Sequence, residues 1–188
     1  HRLRLLHGRL CHGEARMRPG ESLESLSRDQ LLELLSIYSK NWLAMDGVWF
    51  QSVERKFGMD EAMYHDVEAW KRFTVTEARR IKRFLNLPEH PGLDGLAEAL
   101  RFRFYANLSH YEIKREGNAL LYRVIECRVQ QARGAKNMGL HPCKPAGLVE
   151  YAGFAKTIDD RITTQCISCY PDITDEGCAC AWRFQCQE

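Results

Sequence analysis

Cysteines near the end of the chain are the residues with the clearest chemical potential. The chain has eight cysteines, and six of them lie at or after residue 143. Cys166 and Cys169 are separated by two residues, a spacing that sets two thiolates around one tight turn, as a tetrahedral metal ion requires. Two further cysteines can arrive from separate elements to complete the ligand set. The pattern predicts one metal site within residues 143–180, on Cys143, Cys166, Cys169 and Cys180.

Three interpretations of this cysteine set are open. Four thiolates with no ligand water form a closed structural zinc site, in which the ion contributes directly to the free energy of folding. Four cysteines also suit an iron-sulfur cluster, which would make the purified protein brown. The third interpretation is a chain that holds no metal. Within the metal interpretations, Cys178 is an alternative ligand to Cys180, because it lies two residues earlier on the same face of a predicted strand.

Cys127 is the best candidate for a catalytic residue. It lies between Glu126 and Arg128 on a predicted strand, where alternation places both neighbours on the opposite face. Activation of its thiol therefore requires another base, and burial as an ordinary core cysteine is the simpler interpretation. The chain contains no Ser-His-Asp order, phosphate-binding glycine loop or paired-histidine motif. Catalytic machinery is therefore not visible in the sequence.

Length and composition are those of a globular protein with one core. The chain has 188 residues, 45% of them hydrophobic, which is enough for one well-buried domain. Its 27 basic and 25 acidic side chains are mostly interleaved, so no broad positive field for nucleic acid is expected. No run reaches the roughly 18 apolar residues of a membrane helix, and the N-terminus lacks the apolar core of a signal peptide.

These exclusions predict the compartment and the partners. We expect a cytoplasmic protein with no membrane or nucleic-acid partner, and a homodimer is left open. Because that compartment is reducing, the cysteines are expected to be thiolates that bind a metal rather than disulfides.

Helical patterns fill the first half of the chain. Ser27 and Gln30 form a capping box. The apolar spacing after it predicts one long helix, or two with a break near Asp46-Gly47, ending at Gly58. The helical first half of the chain carries three of the four tryptophans, Trp42, Trp49 and Trp70, so its helices are the elements that must position any aromatic site.

Further helices are predicted before residue 100. Asp60 is the expected cap of a second helix. Thr74 and Glu77 have the spacing of a capping box, which predicts a separate third helix over residues 78–85. A short helix is predicted over residues 94–100.

The hydrophobic period changes after residue 100 from that of a helix to that of a strand. Alternation of apolar and polar side chains predicts a strand from Phe102 to Ala106, resuming at Tyr111 after a shift of one residue. A turn at residues 116–118 leads to a return strand over residues 120–128.

The last third contains one helix and a second hairpin. Helical spacing covers residues 144–156, and strands are predicted over residues 162–169 and 178–185. The predicted fold class is α+β, with N-terminal helices packed on an antiparallel sheet and a metal-stapled C-terminal hairpin. We expect residues 1–22 to be a disordered or non-native extension and residues 23–188 to form a single domain.

The C-terminal third resembles a known family. The pattern that carries the resemblance is Cys143-x3-Gly147-x3-Tyr151-x-Gly153-Phe154, then Cys166-x2-Cys169, then Cys180-Ala-Trp-Arg-Phe184. It is similar to the closing pattern of the 4-vinyl-reductase-type small-molecule-binding domains. The resemblance implies zinc on the four cysteines of the predicted set. Those domains often have glutamate where this chain has Cys166, so the site here is richer in thiolate and more closed.

A second resemblance covers more of the chain. From about Leu23 it is similar to an uncharacterised group of small cytosolic proteins found largely in anaerobic bacteria and archaea. The related 2-aminothiazoline-4-carboxylate hydrolase-like proteins share a similar cysteine-rich end.

The first resemblance also implies a cavity between the helices and the hairpin for a small, hydrophobic or aromatic ligand. The aromatic residues exceed what a small helix-on-sheet core needs, and their polar groups would supply directional contacts. The expected lining residues are Trp42, Trp49, Trp70, Tyr105 and Tyr122. Because a closed thiolate site has no open coordination position, we expect the metal to lie outside this cavity.

The leading hypothesis is therefore a zinc-stabilised domain that binds a small hydrophobic or aromatic molecule as a sensor or carrier. The first alternative is a thiol-dependent hydrolase of a small sulfur or nitrogen heterocycle, with Cys127 as the nucleophile. The second is a redox protein built on an iron-sulfur cluster.

Overall fold

The computed structural model of the protein describes residues 20–187. The chain divides into two compact units, and the boundary between Leu35 and Ser36 falls inside the first long helix. The predicted extension, residues 1–22, lies mostly outside the described residues.

The first unit contains the start of that helix and its cap. A short 3-10 helix over Glu21–Leu23 precedes it. The Ser27 backbone N–H donates to Gln30 Oε1 at 2.9 Å, and the Gln30 N–H donates to Ser27 Oγ at 3.2 Å. These two hydrogen bonds satisfy backbone groups that the first turn leaves unpaired, and the predicted capping box is confirmed.

The second unit combines helices with one antiparallel sheet, so the predicted α+β class is confirmed. The helices of the described chain are α1 (Arg28–Phe57), α2 (Met59–Phe84), α3 (Gly92–Leu100), α4 (Arg128–Gly134) and α5 (Lys144–Ile158). The strands are β1 (His110–Glu116), β2 (Ala119–Glu126), β3 (Ile162–Cys169) and β4 (Cys180–Cys186). The order across the sheet is β1-β2-β4-β3, and β3 and β4 form the predicted C-terminal hairpin. Over residues 20–187, no helix combines the length and the apolar character needed to cross a membrane.

The long helices differ from the predicted segments. α1 is one unbroken helix, and α2 is continuous where two helices were predicted. The Thr74 hydroxyl donates to the Glu150 carbonyl oxygen at 2.8 Å, and Arg103 Nε donates to the Glu77 carboxylate at 3.0 Å. The two residues that resemble a helix cap in sequence therefore join α2 to other elements, and the predicted break at Thr74 is wrong.

The predicted strand from Phe102 is also wrong. Residues Phe104–Asn107 form a 3-10 helix. Arg103 is drawn into the core, where it is 1% exposed and paired with Glu77. The Phe104 ring then stacks on Trp70 with centroids 6.3 Å apart. Phe102 is exposed and Arg103 is buried, so the alternating polarity of this segment does not correspond to the two faces of a strand. Strand pairing begins at His110.

A short helix replaces the end of the predicted return strand. β2 ends at Glu126, and Cys127 is the N-cap of α4. The Cys127 carbonyl oxygen accepts a hydrogen bond from the Gln131 N–H at 3.0 Å. No serine, threonine, aspartate or asparagine precedes this helix, so the usual sequence signal for a helix start is missing.

Two glycines allow α5 to lie close to both of its neighbours. Trp182 on β4 is fully buried beneath α5. A Cβ atom on Gly147 would lie 2.6 Å from the Trp182 ring, and one on Gly153 would lie 2.7 Å from Thr74 Cγ2 on α2. The glycine spacing in the C-terminal motif is therefore explained by close packing of α5 on the sheet and on α2.

Candidate functional site

A cavity of about 150 Å³ lies in the second unit, between helices and the sheet. Aromatic side chains from several elements form much of its wall: Phe50 on α1, Trp70 on α2, Tyr105 in the 3-10 helix, Tyr122 on β2, Tyr151 on α5 and Trp182 on β4. A cavity of this volume accommodates one aromatic ring, since an apolar cavity of about 150 Å³ in another protein binds benzene.

The structure places only part of the predicted aromatic set in this wall. Trp70, Tyr105 and Tyr122 line the cavity, whereas Trp42 and Trp49 do not. Trp42 stacks on Phe73, at 5.2 Å between centroids, and Trp49 is 66% exposed. On a helix of 3.6 residues per turn, residues 42 and 49 share a face that is rotated by roughly 100° from the cavity-lining face. Spacing alone left the choice between these two faces open.

Carboxylates form the polar part of the wall. Asp46 on α1, Asp66 on α2 and Glu150 on α5 all line the cavity. Burial, together with the negative charges of Asp46 and Glu150, raises the pKa of Asp66 to about 7, although a hydrogen bond from Trp70 acts in the opposite direction. Burial also raises the pKa of Asp46. Sequence reasoning missed both aspartates, because an acidic residue on a helix is usually part of its solvated face.

The arginines near the cavity are already paired. Arg133 also lines the wall, but its two terminal nitrogens each lie 2.8 Å from the Glu54 carboxylate. Arg103 lies in the core between two acids, 3.0 Å from Glu77 and 2.7 Å from Glu150. Arg103 is thus paired with two carboxylates, and Arg133 is neutralised by Glu54.

Four cysteines line the same cavity: Cys127, Cys143, Cys169 and Cys180. Three of them belong to the predicted metal set. Our expectation that those ligands would lie outside the ligand cavity is therefore wrong. The physical reason is that Cys143 is the N-cap of α5, which contributes to the cavity wall, and that β3 ends at Cys169 directly opposite Cys180, where β4 begins.

The remaining cysteines occupy different surroundings. Cys166 is paired across the sheet with Trp182 but does not line the cavity. Cys178 lies in the loop before β4, with its sulfur 3.4 Å from the Asp175 carboxylate. β4 begins at Cys180, so Cys178 and Cys180 do not share the strand face that made them alternative ligands.

The predicted metal ligands are near one another but do not form a coordination shell. Cys169 and Cys180 are direct cross-strand partners. Within residues 20–187, the only three possible ligand atoms of His, Cys, Asp or Glu that lie within 4.8 Å of one another belong to His90, Asp159 and Asp160. That group is partly exposed and contains no cysteine. In a tetrahedral zinc site all four sulfurs face one point, so zinc binding would require these thiols to move closer together than they lie here.

A thiol, an imidazole and a carboxylate adjoin each other in the cavity wall. Cys143 Sγ lies 3.3 Å from His141 Nδ1, and His141 Nε2 lies 3.6 Å from Asp66 Oδ2. Gln130 Nε2 donates to the His141 carbonyl oxygen at 2.8 Å and lies 3.1 Å from the same sulfur. The order of groups is that of a nucleophile, a base and an orienting acid. The adjacency of His141 and Cys143 in sequence was the available signal.

The charge states oppose activation of this thiol. Burial raises the pKa of the Cys143 thiol well above its ordinary value, and the neighbouring thiols Cys127 and Cys180 act in the same direction. Burial and the positive charge of Arg133 lower the pKa of His141 to about 4. At neutral pH the pair is therefore a neutral thiol beside a neutral imidazole, and not a thiolate beside an imidazolium.

Cys127, the predicted nucleophile, has less support from its surroundings. Burial raises the pKa of its thiol, and backbone N–H groups of Gln130 and Val129 offset part of this effect. In the described part of the chain, no basic side chain hydrogen-bonds to it. The cysteine with a base beside it is Cys143.

Comparison with known families shows the family to which the chain belongs. Residues 24–186 match a family described as a family of unknown function, DUF6125. The chain belongs to this family. No curated protein matches it. The matched range includes every residue that lines the cavity, and the function of the cavity must be inferred from its own geometry.

Proposed function

We propose that this DUF6125 protein binds a small, largely apolar or aromatic molecule in the cavity and acts as a sensor or carrier. The observation that carries the proposal is the cavity of about 150 Å³ with aromatic walls. Trp70 and Tyr105 are stacked, with centroids 5.8 Å apart and planes at 24°. Such flat surfaces favour a planar ligand about the size of one ring.

The apolar part of the wall supports an occupant. A ring placed against Trp70, Tyr105 and Tyr122 removes apolar surface from water and gains dispersion contacts with these side chains.

A thiol-dependent hydrolase is the second candidate, favoured by the contact between Cys143 and His141. We rank it below binding, because the shifted pKa values of both groups keep the proton on the sulfur at neutral pH. Each unit of pKa separation costs about 1.4 kcal/mol of the proton transfer that would precede attack.

Zinc binding by Cys143, Cys166, Cys169 and Cys180 stays a prediction, as does the iron-sulfur alternative. The proposed binding function does not depend on either. Elemental analysis of the purified protein decides the matter, with about one zinc per chain as the expected result. Iron with visible absorbance would favour the cluster, and metal-free protein with alkylatable thiols would contradict both. The cytoplasmic location, the lack of nucleic-acid partners and the open homodimer also stay predictions.

Binding is tested with benzyl alcohol as the probe. We expect it to quench tryptophan fluorescence, because Trp70 and Trp182 line the cavity, and to raise the melting temperature by mass action. Val129→Phe should weaken both effects about tenfold or more, because Val129 lines the cavity and the added ring fills it.

The matched control is Val48→Phe, the same substitution at a valine that is 61% exposed and does not line the cavity. This variant should bind like the parent. The proposal is contradicted if benzyl alcohol has no effect on the parent, or if both variants bind equally well.

A further inference from the structure

The cavity contains more negative charge than the protein itself neutralises. Three carboxylates line it, and the Glu150 carboxylate is paired with Arg103. Arg133 is engaged by Glu54. His141 also lines the wall, and its Nε2 is 3.6 Å from Asp66 Oδ2, which is beyond hydrogen-bond distance. Among the described residues, no lysine or arginine forms an ion pair with Asp46 or Asp66.

The Asp66 carboxylate is buried without a full set of donors. Its side chain is 9% exposed, and His141 Nε2 lies 3.6 Å away, beyond hydrogen-bond distance. Contact with the Trp70 side chain lowers the pKa of Asp66. A buried carboxylate has about four acceptor positions, so most of those on Asp66 are unsatisfied by protein groups. The Asp46 carboxylate makes no hydrogen bond or ion pair with any residue of the range 20–187.

The unpaired acceptor positions of Asp46 and Asp66 lie in the wall of one cavity. They indicate an occupant with hydrogen-bond donors of its own, because unpaired buried polar groups are costly.

We infer that the ligand carries a positively charged ammonium group held by the carboxylates of Asp46 and Asp66, with its apolar body against the aromatic walls. The inference rests on the proposed function and names the ligand class, a small organic cation. An ammonium group offers several N–H donors to the two carboxylates. The aromatic side chains of the wall supply apolar contacts for the body of the ligand.

An organic cation fits this wall better than a bare metal ion does. A metal needs at least three ligand atoms in direct contact with one point, and Asp46, Asp66 and the cysteines contribute to no group of that kind among residues 20–187. An organic ammonium ion does not need its contacts to meet at one point. Its N–H groups bond to the carboxylates while its ring-sized body contacts the apolar part of the wall.

The experiment compares three probes of similar size and different charge: the cation benzylammonium, the neutral benzyl alcohol and the anion benzoate. Affinities are measured by calorimetry at pH 8, where Asp66 is ionised. We expect the parent protein to bind benzylammonium at least about tenfold more tightly than benzyl alcohol and to bind benzoate most weakly. This order of affinities is measured on the parent protein alone, so the test does not depend on whether a substituted protein folds.

Two variants then assign the effect to residues. Asp66→Asn and Asp46→Asn, each nearly isosteric, should each lower the preference for benzylammonium over benzyl alcohol by about tenfold while benzyl alcohol still binds. The control is Glu176→Gln, which changes the net charge equally at an exposed position outside the cavity. It should leave the preference unchanged.

The outcomes separate the inference from the proposed function. Equal binding of benzylammonium and benzyl alcohol, or tighter binding of benzoate, overturns the inference and leaves the apolar binding site intact. Binding of none of the three overturns the proposed function as well. Displacement of benzylammonium by an equal concentration of potassium would show that the carboxylates select charge alone, and it would overturn the assignment to an organic cation.

Discussion

Two buried aspartates of this protein have opposite surroundings. Asp159, at the C-terminal end of α5, has a fully buried side chain, and Asp66, in the cavity wall, is 9% exposed. Asp159 accepts hydrogen bonds from the Gly92 N–H at 2.8 Å and from the Arg161 N–H, Nε and Nη2 at 3.1, 3.0 and 2.9 Å. Asp66 has Trp70 as its donor and two negative neighbours.

The difference in donors reverses the effect of burial on the pKa. Hydrogen bonds from Arg161, joined by that from Gly92, hold the pKa of Asp159 well below its ordinary value. Burial and like charges raise the pKa of Asp66 to about 7. A buried carboxylate whose acceptor positions are filled by donors stabilises the fold. One that lacks donors lowers the stability and is expected where a ligand binds.

The largest effect is expected for Asp159→Ala. The change leaves four donors without their acceptor, so the free energy of unfolding at pH 7 should fall by roughly 2 to 4 kcal/mol. Urea unfolding measures it. Because the folded pKa is lowered from 3.8, the contribution is present above the unfolded pKa and is lost as pH falls through the folded value. The control Asp160→Ala, at a side chain that is 67% exposed, should change stability by less than about 0.5 kcal/mol.

Asp66→Asn should instead raise the free energy of unfolding at neutral to basic pH. The folded pKa of Asp66 is raised from 3.8 to about 7, so its carboxylate form destabilises the fold as pH rises through that interval. The variant should be more stable than the parent by roughly 2 kcal/mol at pH 8, allowing for water in the cavity, and nearly equal to it at pH 4. Urea unfolding at both values tests this. A variant that is less stable than the parent at pH 8 would show that Asp66 is satisfied in the fold.

The pH dependence of ligand affinity should be smaller. Ionised Asp66 attracts an ammonium group and protonated Asp66 does not, so the affinity for benzylammonium should rise by about tenfold between pH 6 and 8. Calorimetry of the parent and of Asp66→Asn measures it. A rise of the same size in the variant would assign the titration to another group.

The smallest effect concerns the two cavity aspartates themselves. The charge of Asp46 raises the pKa of Asp66, so Asp46→Asn should lower that pKa by less than about one unit. Carbon-13 NMR of the Asp66 carboxyl group follows the titration. An unchanged pKa would mean that burial and the charge of Glu150 cause the shift without Asp46, and that the two aspartates do not share a ligand.

Sequence patterns predicted much of the fold because helix and strand periods are local properties. The Ser27 capping box, the helix over residues 144–156 and the C-terminal hairpin match the structure closely. Predictions failed where a local signal served a tertiary contact instead. Thr74 looks like a cap but bonds to Glu150, and the segment after Phe102 alternates in polarity because Arg103 is paired in the core.

The candidate site was likewise predicted from the sequence only in part. Aromatic residues such as Trp70 and Tyr105 were predicted to line a cavity because the family resemblance implied one and the chain has more aromatic side chains than a small core needs. The choice between Trp70 and Trp49 depended on which helix face meets the sheet. Three of the predicted cysteines, Cys143, Cys169 and Cys180, line one cavity, whereas Cys166 does not. Whether the predicted sulfurs can face one ion depends on tertiary geometry.

Only the tertiary structure decided that Asp46 and Asp66 are part of the site. In sequence, an aspartate on a helix is indistinguishable from a solvated surface residue. Its free energy depends on the donors and charges that distant segments bring within a few ångströms. For Asp159 the chain supplies those donors, and for Asp66 it supplies mainly further negative charge. That balance is a property of the folded arrangement and cannot be obtained from the local order of residues.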